Sequence, residues 1–243
     1  MREGHPAPAV LITRPEPGAA ETAARLAARG WQPLEAPALV LAARPFVLPR
    51  TAQALLLTSR AAARCLPDAL PRSLLVLAVG EATAAEACSH GFVNILAAEG
   101  DAAALARLAV ARLSPAAGPL LLAVGAGYGR ELVAALRAAG FRVLRRVAYA
   151  AHPAAALPEA AREALARGTV GAALFFSPRS AHAAIALLRQ AGLGGSAAAV
   201  EALAISPRVA EAARAALAPF TWRALKVAAR PDQDSLLQLL DPS

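Results

Sequence analysis

Lysine is almost missing from this chain: Lys226 stands alone against 24 arginines in 243 residues. Aromatics make up 4% and charged residues 17%, whereas 57% are hydrophobic, the excess being Ala, Leu and Val. This is the balance a GC-rich genome gives, so hydrophobicity alone does not indicate a membrane. No run of about 18 uncharged apolar residues occurs. The longest candidate, Ser114 to Gly129, is broken by Pro115, Gly118, Pro119, Gly125 and Gly127, which excludes a spanning helix. Met1 to Pro8 has neither a hydrophobic signal core nor a small-residue cleavage site, so a cytoplasmic protein is expected. In that compartment Cys65 and Cys88 are expected to be reduced, buried fillers. His5, His90, His152 and His182 are scattered, and Cys88-x-His90 alone is no ligand set, so no metal is expected.

Several familiar chemistries are missing as well. Gly125-x-Gly127-x-Gly129 follows a strand-like run, but Arg130 stands where the dinucleotide fingerprint needs its last glycine. No acidic residue follows about 20 positions later to take a ribose hydroxyl. There is no Walker loop, no Gly-x-Ser-x-Gly elbow and no acidic cluster for magnesium. Asp232 and Asp234 sit at a helix start, where capping explains them. No cofactor is expected. The net charge of +8 invites a nucleic-acid reading. Yet no basic run exceeds Arg145-Arg146, and aromatics for base stacking are not interleaved with it, so no nucleic-acid partner is expected.

What is present is a repeated pattern of short apolar run, turn and Ala-rich amphipathic segment. Strands are predicted at Val10–Thr13, Trp31–Ala36, Ala54–Thr58, Leu74–Val79, Val93–Leu96, Leu120–Val124, Arg142–Tyr149, Ala172–Ser177, Leu203–Ser206 and Trp222–Ala228. Helix-length segments lie between most of them. Continuous apolar strands alternating with helices predict an α/β fold with parallel sheets covered on both faces. Ten strands fit two five-stranded sheets better than one. A weak internal repeat agrees. Leu55–Arg60 aligns with Leu174–Arg179, Ala78–Ala84 with Ala204–Ala210, and Ala97–Asp101 with Ala228–Asp232. Two Pro-bounded stretches, 38–44 and 145–152, have the length of extended connectors.

Ligands of open parallel sheets bind beyond the carboxyl ends of the strands. Six of seven such ends carry an arginine: Arg14, Arg60, Arg130, Arg179, Arg208 and Arg230. With helix-starting amides beside them, these turns suit a large polyanion. Arginine is also the chain's common cation, which explains any single one of them. Proton chemistry has few candidates. Tyr149 on the second connector is a phenol protonated at neutral pH. The Thr83 hydroxyl either binds a ligand or caps the helix after Gly80, and Tyr128 in the glycine turn either stacks or hydrogen-bonds.

In order and spacing these motifs resemble the uroporphyrinogen-III synthase family over Val10 to Leu240. The resemblance is carried by Ile12-Thr13-Arg14-Pro15, Leu57-Thr58-Ser59, Ala78-Val79-Gly80-x-x-Thr83-Ala84, Leu132 to Tyr149, Phe175-Phe176-Ser177-Pro178 and Ala204-Ile205-Ser206-Pro207. It implies two similar flavodoxin-like, Rossmann-like five-stranded domains joined by a two-stranded linker. One would comprise 8–37 with 153–243, the other 45–144, with 38–44 and 145–152 as linker strands. It implies a cofactor-free, ring-inverting closure of hydroxymethylbilane, a linear tetrapyrrole with eight carboxylates, to uroporphyrinogen III with loss of water. Tyr149 then matches a linker tyrosine proposed to assist loss of the hydroxyl, and Thr83 a cleft threonine implicated in activity. Thr58, Ser59 and Ser177 match cleft hydroxyls. Arg14, Arg60, Arg130, Arg179, Arg208 and Arg230, with the turns at Gly80 and Ser206, become candidates for holding the carboxylates. Two positions depart from the family: Ser206 stands where glycine is usual, making a less permissive turn, and Val209 where threonine is common. A monomer is expected. The alternative is a two-domain protein that binds a polyanionic small molecule without chemistry.

Overall fold

The structure is a computed structural model describing residues 9–241. Met1 to Pro8, on which the reading of the N-terminus and His5 rest, lie outside the described residues, as do residues 242 and 243. The chain runs through β1 (Ala9–Ile12), α1 (Gly18–Ala27), β2 (Gln32–Glu35), β3 (Leu39–Ala43), β4 (Ala54–Leu57), α2 (Arg60–Arg64), β5 (Leu75–Ala78) and α3 (Glu81–Ser89). It continues through β6 (Ile95–Ala97), α4 (Ala102–Arg112), β7 (Leu120–Gly125), α5 (Arg130–Ala138) and β8 (Val143–Pro153). It ends in α6 (Glu159–Ala166), β9 (Val170–Phe175), α7 (Pro178–Gln190), β10 (Glu201–Ala204), α8 (Pro207–Leu217), β11 (Ala224–Val227) and α9 (Gln233–Gln238).

These elements form two compact units, one of residues up to Val40 and from His152 onward, the other Leu41–Ala151. The chain crosses between them within β3 and within β8. In the first unit the sheet order is β11-β10-β9-β1-β2, all pairs parallel. In the second it is β3-β8-β7-β4-β5-β6. The second sheet has six strands because both connectors are strands: β3 joins its edge, and β8 is one continuous strand of 11 residues.

Burial on both faces explains the unbroken apolar runs. In β4 all four residues, Ala54 to Leu57, are buried. Leu55 and Leu57 pack with Leu121, Ala123, Ala62, Ala63 and Ala87 on the side of α2 and α3. Leu56 packs with Leu120, Leu122, Leu105, Leu132 and Leu136 on the side of α4 and α5. The first unit repeats the arrangement, with Phe175 meeting Trp222 edge-on at 5.5 Å within one face of its core.

The internal repeat extends to the helix starts. Ser59 caps α2 by accepting from the Ala62 amide at 3.1 Å, and Ser177 caps α7 from the Ser180 amide at 3.1 Å. Asp101 caps α4 from Ala104 at 2.6 Å, and Asp232 caps α9 from Ser235 at 2.7 Å. Gly80 and Ser206 occupy the remaining pair of caps, both with extended backbones, φ −178° and −159°. The expectation of a less permissive turn at Ser206 is therefore corrected: any residue adopts that conformation, and serine costs it no strain. Val209 is a buried core residue of α8.

Other expectations are adjusted. Cys65 is half-buried and Cys88 is exposed rather than buried, because α3 turns Thr83 and Ala87 inward and leaves Cys88 outside that stripe. The strand expected at Val93–Leu96 forms at Ile95–Ala97; Val93 lies 75% exposed before the first paired residue, Ile95. Short 3-10 helices at Pro115–Ala117 and Gly194–Ala199 add to the predicted elements. Among the described residues no helix is long and apolar enough to cross a membrane.

Candidate functional site

The carboxyl ends of β4, β7 and β8 are neighbours in the second unit, with β7 between the other two. Thr58 and Ser59 follow β4, the turn Gly125 to Arg130 closes β7 and opens α5, and Tyr149 lies in β8. Together with Ala102, Glu131 and Leu132 they line a pocket of about 530 Å³. All of its walls belong to this unit.

Each wall has a local cause. The extended Ser59 turns the chain from strand to helix and satisfies the amide of Ala62, which leaves its hydroxyl at the pocket. The glycine turn needs left-handed backbone at Gly127 (φ +89°) and Gly129 (φ +84°). A β-carbon at Gly129 would in addition lie 2.8 Å from Val124 Cγ1. Between these glycines the Tyr128 amide donates to the Gly125 carbonyl at 3.1 Å, and Arg145 Nε donates to the Tyr128 carbonyl at 2.9 Å. The turn is thus tied down while the Tyr128 ring is 65% exposed. Beyond it the first three residues of α5, Arg130, Glu131 and Leu132, line the pocket, and a helix N-terminus favours anions. Arg130 stands exposed at that helix start.

Tyr149 is half-buried, its hydroxyl 3.4 Å from Ser59 Oγ. Burial raises the phenol above its ordinary range, the Ser59 contact draws it partly back, and Tyr128 and Cys65 raise it slightly further. The phenol therefore holds its proton at neutral pH and presents a hydrogen-bond donor to whatever fills the pocket. Cys65 itself is raised by burial and offset in part by Arg64, which keeps it a thiol.

Five of the residues expected from sequence, Thr58, Ser59, Tyr128, Arg130 and Tyr149, share this pocket. Arg60, Gly80 and Thr83 belong to the same unit without lining it. Gly80 is the cap of α3, so Thr83, the third residue of the helix and 5% exposed, is not a capping residue. The others lie in the first unit, at the carboxyl ends of its strands. There Arg14 is engaged within the fold: its guanidinium lies 4.3 Å from the Phe176 ring centre and donates to Gln233 Oε1 at 2.7 Å. A β-carbon at Gly18 would collide with the Arg14 guanidinium, so the glycine makes room for it. The Ser177 hydroxyl caps α7 and meets Ser180 Oγ at 2.9 Å. Arg230 is paired with Asp232 at 3.2 Å. Arg179 and Arg208 are exposed at the starts of α7 and α8, beside the extended cap Ser206.

Sequence reasoning does not assign Gly125, Glu131, Leu132 or Ala102 to a site. The glycine triplet is the available signal, but it is legible in sequence only as an incomplete nucleotide loop. Among the described residues no three His, Cys, Asp or Glu side chains gather as metal ligands.

The family model for "Uroporphyrinogen-III synthase HemD" matches residues 20–238. A search of curated proteins returns no match. Among solved structures, uroporphyrinogen-III synthetase from Helicobacter pylori has a similar fold, with a TM-score of 0.60 and 16% identity over 96% of this chain and 98% of that one. A mutant uroporphyrinogen III synthase from the extremely thermophilic bacterium Thermus thermophilus is 21% identical over 96% of this chain and 97% of that one, with a TM-score of 0.45. The family match spans nearly the whole chain, every residue that lines the pocket included, and the chain belongs to the uroporphyrinogen-III synthase family.

Proposed function

We propose that the chain acts as a cytoplasmic, monomeric uroporphyrinogen-III synthase, a carbon–oxygen lyase that closes hydroxymethylbilane with inversion of ring D and loss of water. The observation that carries the site assignment is that Tyr149, Ser59 and the first three residues of α5 line one pocket, with the phenol 3.4 Å from the serine hydroxyl. Tyr149 Oη donates its proton to the terminal hydroxyl of the bilane as the C–O bond breaks. Water leaves, and the pyrrole nitrogen shares the resulting azafulvene cation. The ring-D carbon that already bears its neighbour's bridge attacks that cation to give a spiro centre. Breaking the old bridge and reclosing at the other position inverts the ring. The proton lost on rearomatisation restores the phenol, so the net change is one water. Ser59, 3.4 Å from Oη, supports the phenol in both protonation states.

The amides of α5 and Arg130 take carboxylates near the reacting end, and Tyr128 offers a ring face to a pyrrole. Arg60, Gly80 and Thr83 support the second unit's strand ends, and Arg179, Arg208 and the turns at Ser177 and Ser206 are the first unit's own candidates for carboxylates. A guanidinium against ring D would oppose the cation, so an exposed Arg130 at the pocket edge suits the chemistry better than a buried one. The rest of the rate comes from holding a flexible bilane folded so that spiro closure outpaces direct closure.

Purified protein given hydroxymethylbilane should yield the III isomer; formation of the I isomer alone overturns the assignment. Tyr149→Phe should lower kcat by about 10²-fold, the low end for a lost proton donor, with little change in KM. An unchanged kcat would remove Tyr149 from the chemistry while leaving the synthase activity in place.

A further inference from the structure

We infer that Gly125 is a positioning residue for Tyr149: its bare Cα, set opposite a one-residue bulge in β8, is the seat from which the phenol reaches the pocket. The inference rests on the role proposed above for Tyr149. Strands β7 and β8 run in even register up to the pair Val124–Val147, but the next pair is Gly125–Tyr149. Ala148 is the extra residue. A single inserted residue turns the side chains beyond it to the opposite face of the sheet.

The core shows this change of face. Val143 packs on the side of α4 and α5, so strict alternation along β8 puts Arg145 and Val147 on that side and Ala148 on the other. Ala148 is indeed found in the core against α2 and α3. Without the bulge Tyr149 would return to the α4 and α5 side. Instead it packs with the same cluster as Ala148, on the side of α2, the helix that Ser59 caps.

The strand opposite must then leave space. On β7, Leu121 and Ala123 face α2 and α3, and the same alternation carries position 125 to that side. A β-carbon there would lie 2.6 Å from Tyr149 Cζ and 2.8 Å from its hydroxyl oxygen. Gly125 is not among the glycines with left-handed backbone. Room for the phenol, rather than conformation, is therefore what calls for glycine. The Tyr149 carbonyl accepts from the Ala126 amide at 2.8 Å, which pins the bulged backbone to the turn after β7. The groups that act on the phenol are Ser59, Tyr128 and Cys65.

The chain contains two tyrosines, so in a Tyr128→Phe background the phenolate absorbance reports Tyr149 alone. Adding Gly125→Ala should push the ring toward water and lower its apparent pKa toward the ordinary value of about 10. In the otherwise unaltered chain, Gly125→Ala should lower kcat by tens of fold and KM by little, within the roughly 10²-fold expected for loss of the donor itself. On a Tyr149→Ala background the same substitution should change neither kcat nor the urea midpoint, because the space is vacated. An unmoved phenol pKa, or an equal loss of stability in both backgrounds, would overturn the inference. Should Gly125→Ala fail to fold, the Gly125→Ala/Tyr149→Ala protein should still fold; its failure also overturns the inference. If titration and stability behave as expected while Tyr149→Ala turns over at the parental rate, the seat stands and the proton-donor role of Tyr149 falls.

Discussion

A phenol in water ionises near pH 10, and half-burying the Tyr149 ring moves that ionisation upward, with the Ser59 hydroxyl at 3.4 Å opposing part of the rise. Because the folded protein then holds the proton more tightly than the unfolded chain, the stability tied to this group is complete below about pH 10 and is lost as pH rises through the higher folded value. Urea unfolding followed from about pH 8 to 11 should therefore show a decline that Tyr149→Phe flattens. Ser59→Ala acts twice. It removes the cap of α2, costing about 1 kcal/mol, and it removes the contact that lowers the phenol, whose pKa should rise further. A fall of the phenol pKa in Ser59→Ala would contradict the contact.

The elements carry the duplication in their starts more clearly than in their lengths. Asp101→Ala and Asp232→Ala each remove an aspartate cap at a strand-to-helix turn, and each should cost about 1 kcal/mol in urea unfolding. The two sites share no partner, so the double substitution should be additive. These starts were legible in the sequence because a capping side chain and the helix it serves are three residues apart. Strands buried on both faces were legible for a similar local reason: Leu55-Leu56-Leu57 has no polar face to hide. What was not legible depends on partners far along the chain. Nothing near Arg14 announces Gln233, 219 residues away, to which its guanidinium donates within the fold. Nothing in Val147-Ala148-Tyr149 announces a bulge, because a bulge is a property of the pair and appears only when β8 is laid against β7. The glycine triplet lay in plain view, yet its first member answers to a side chain on the neighbouring strand, and the other two to the turn.

Across the whole molecule the two sheets repeat one order: β8-β7-β4-β5-β6 in the second unit corresponds to β2-β1-β9-β10-β11 in the first. The three matched caps fall on β4, β5 and β6 and on β9, β10 and β11 respectively, so each unit presents the same kind of helix-starting turn at its carboxyl edge. A chain of net charge +8 with arginines at those edges should attract a bilane with eight carboxylates over distances that salt screens, the Debye length being about 10 Å at 0.1 M. Raising ionic strength should therefore depress kcat/KM for bilane closure far more than kcat. Arg208→Ala, which alters an exposed guanidinium group, should shallow that salt dependence and leave unfolding near its parental midpoint. Arg14→Ala should do the reverse. Its guanidinium is engaged with Phe176 and Gln233, so its loss should cost about 1–2 kcal/mol of stability and leave the salt slope almost unchanged. An Arg14→Ala protein of parental stability with a flattened salt slope would return Arg14 to the set of carboxylate ligands.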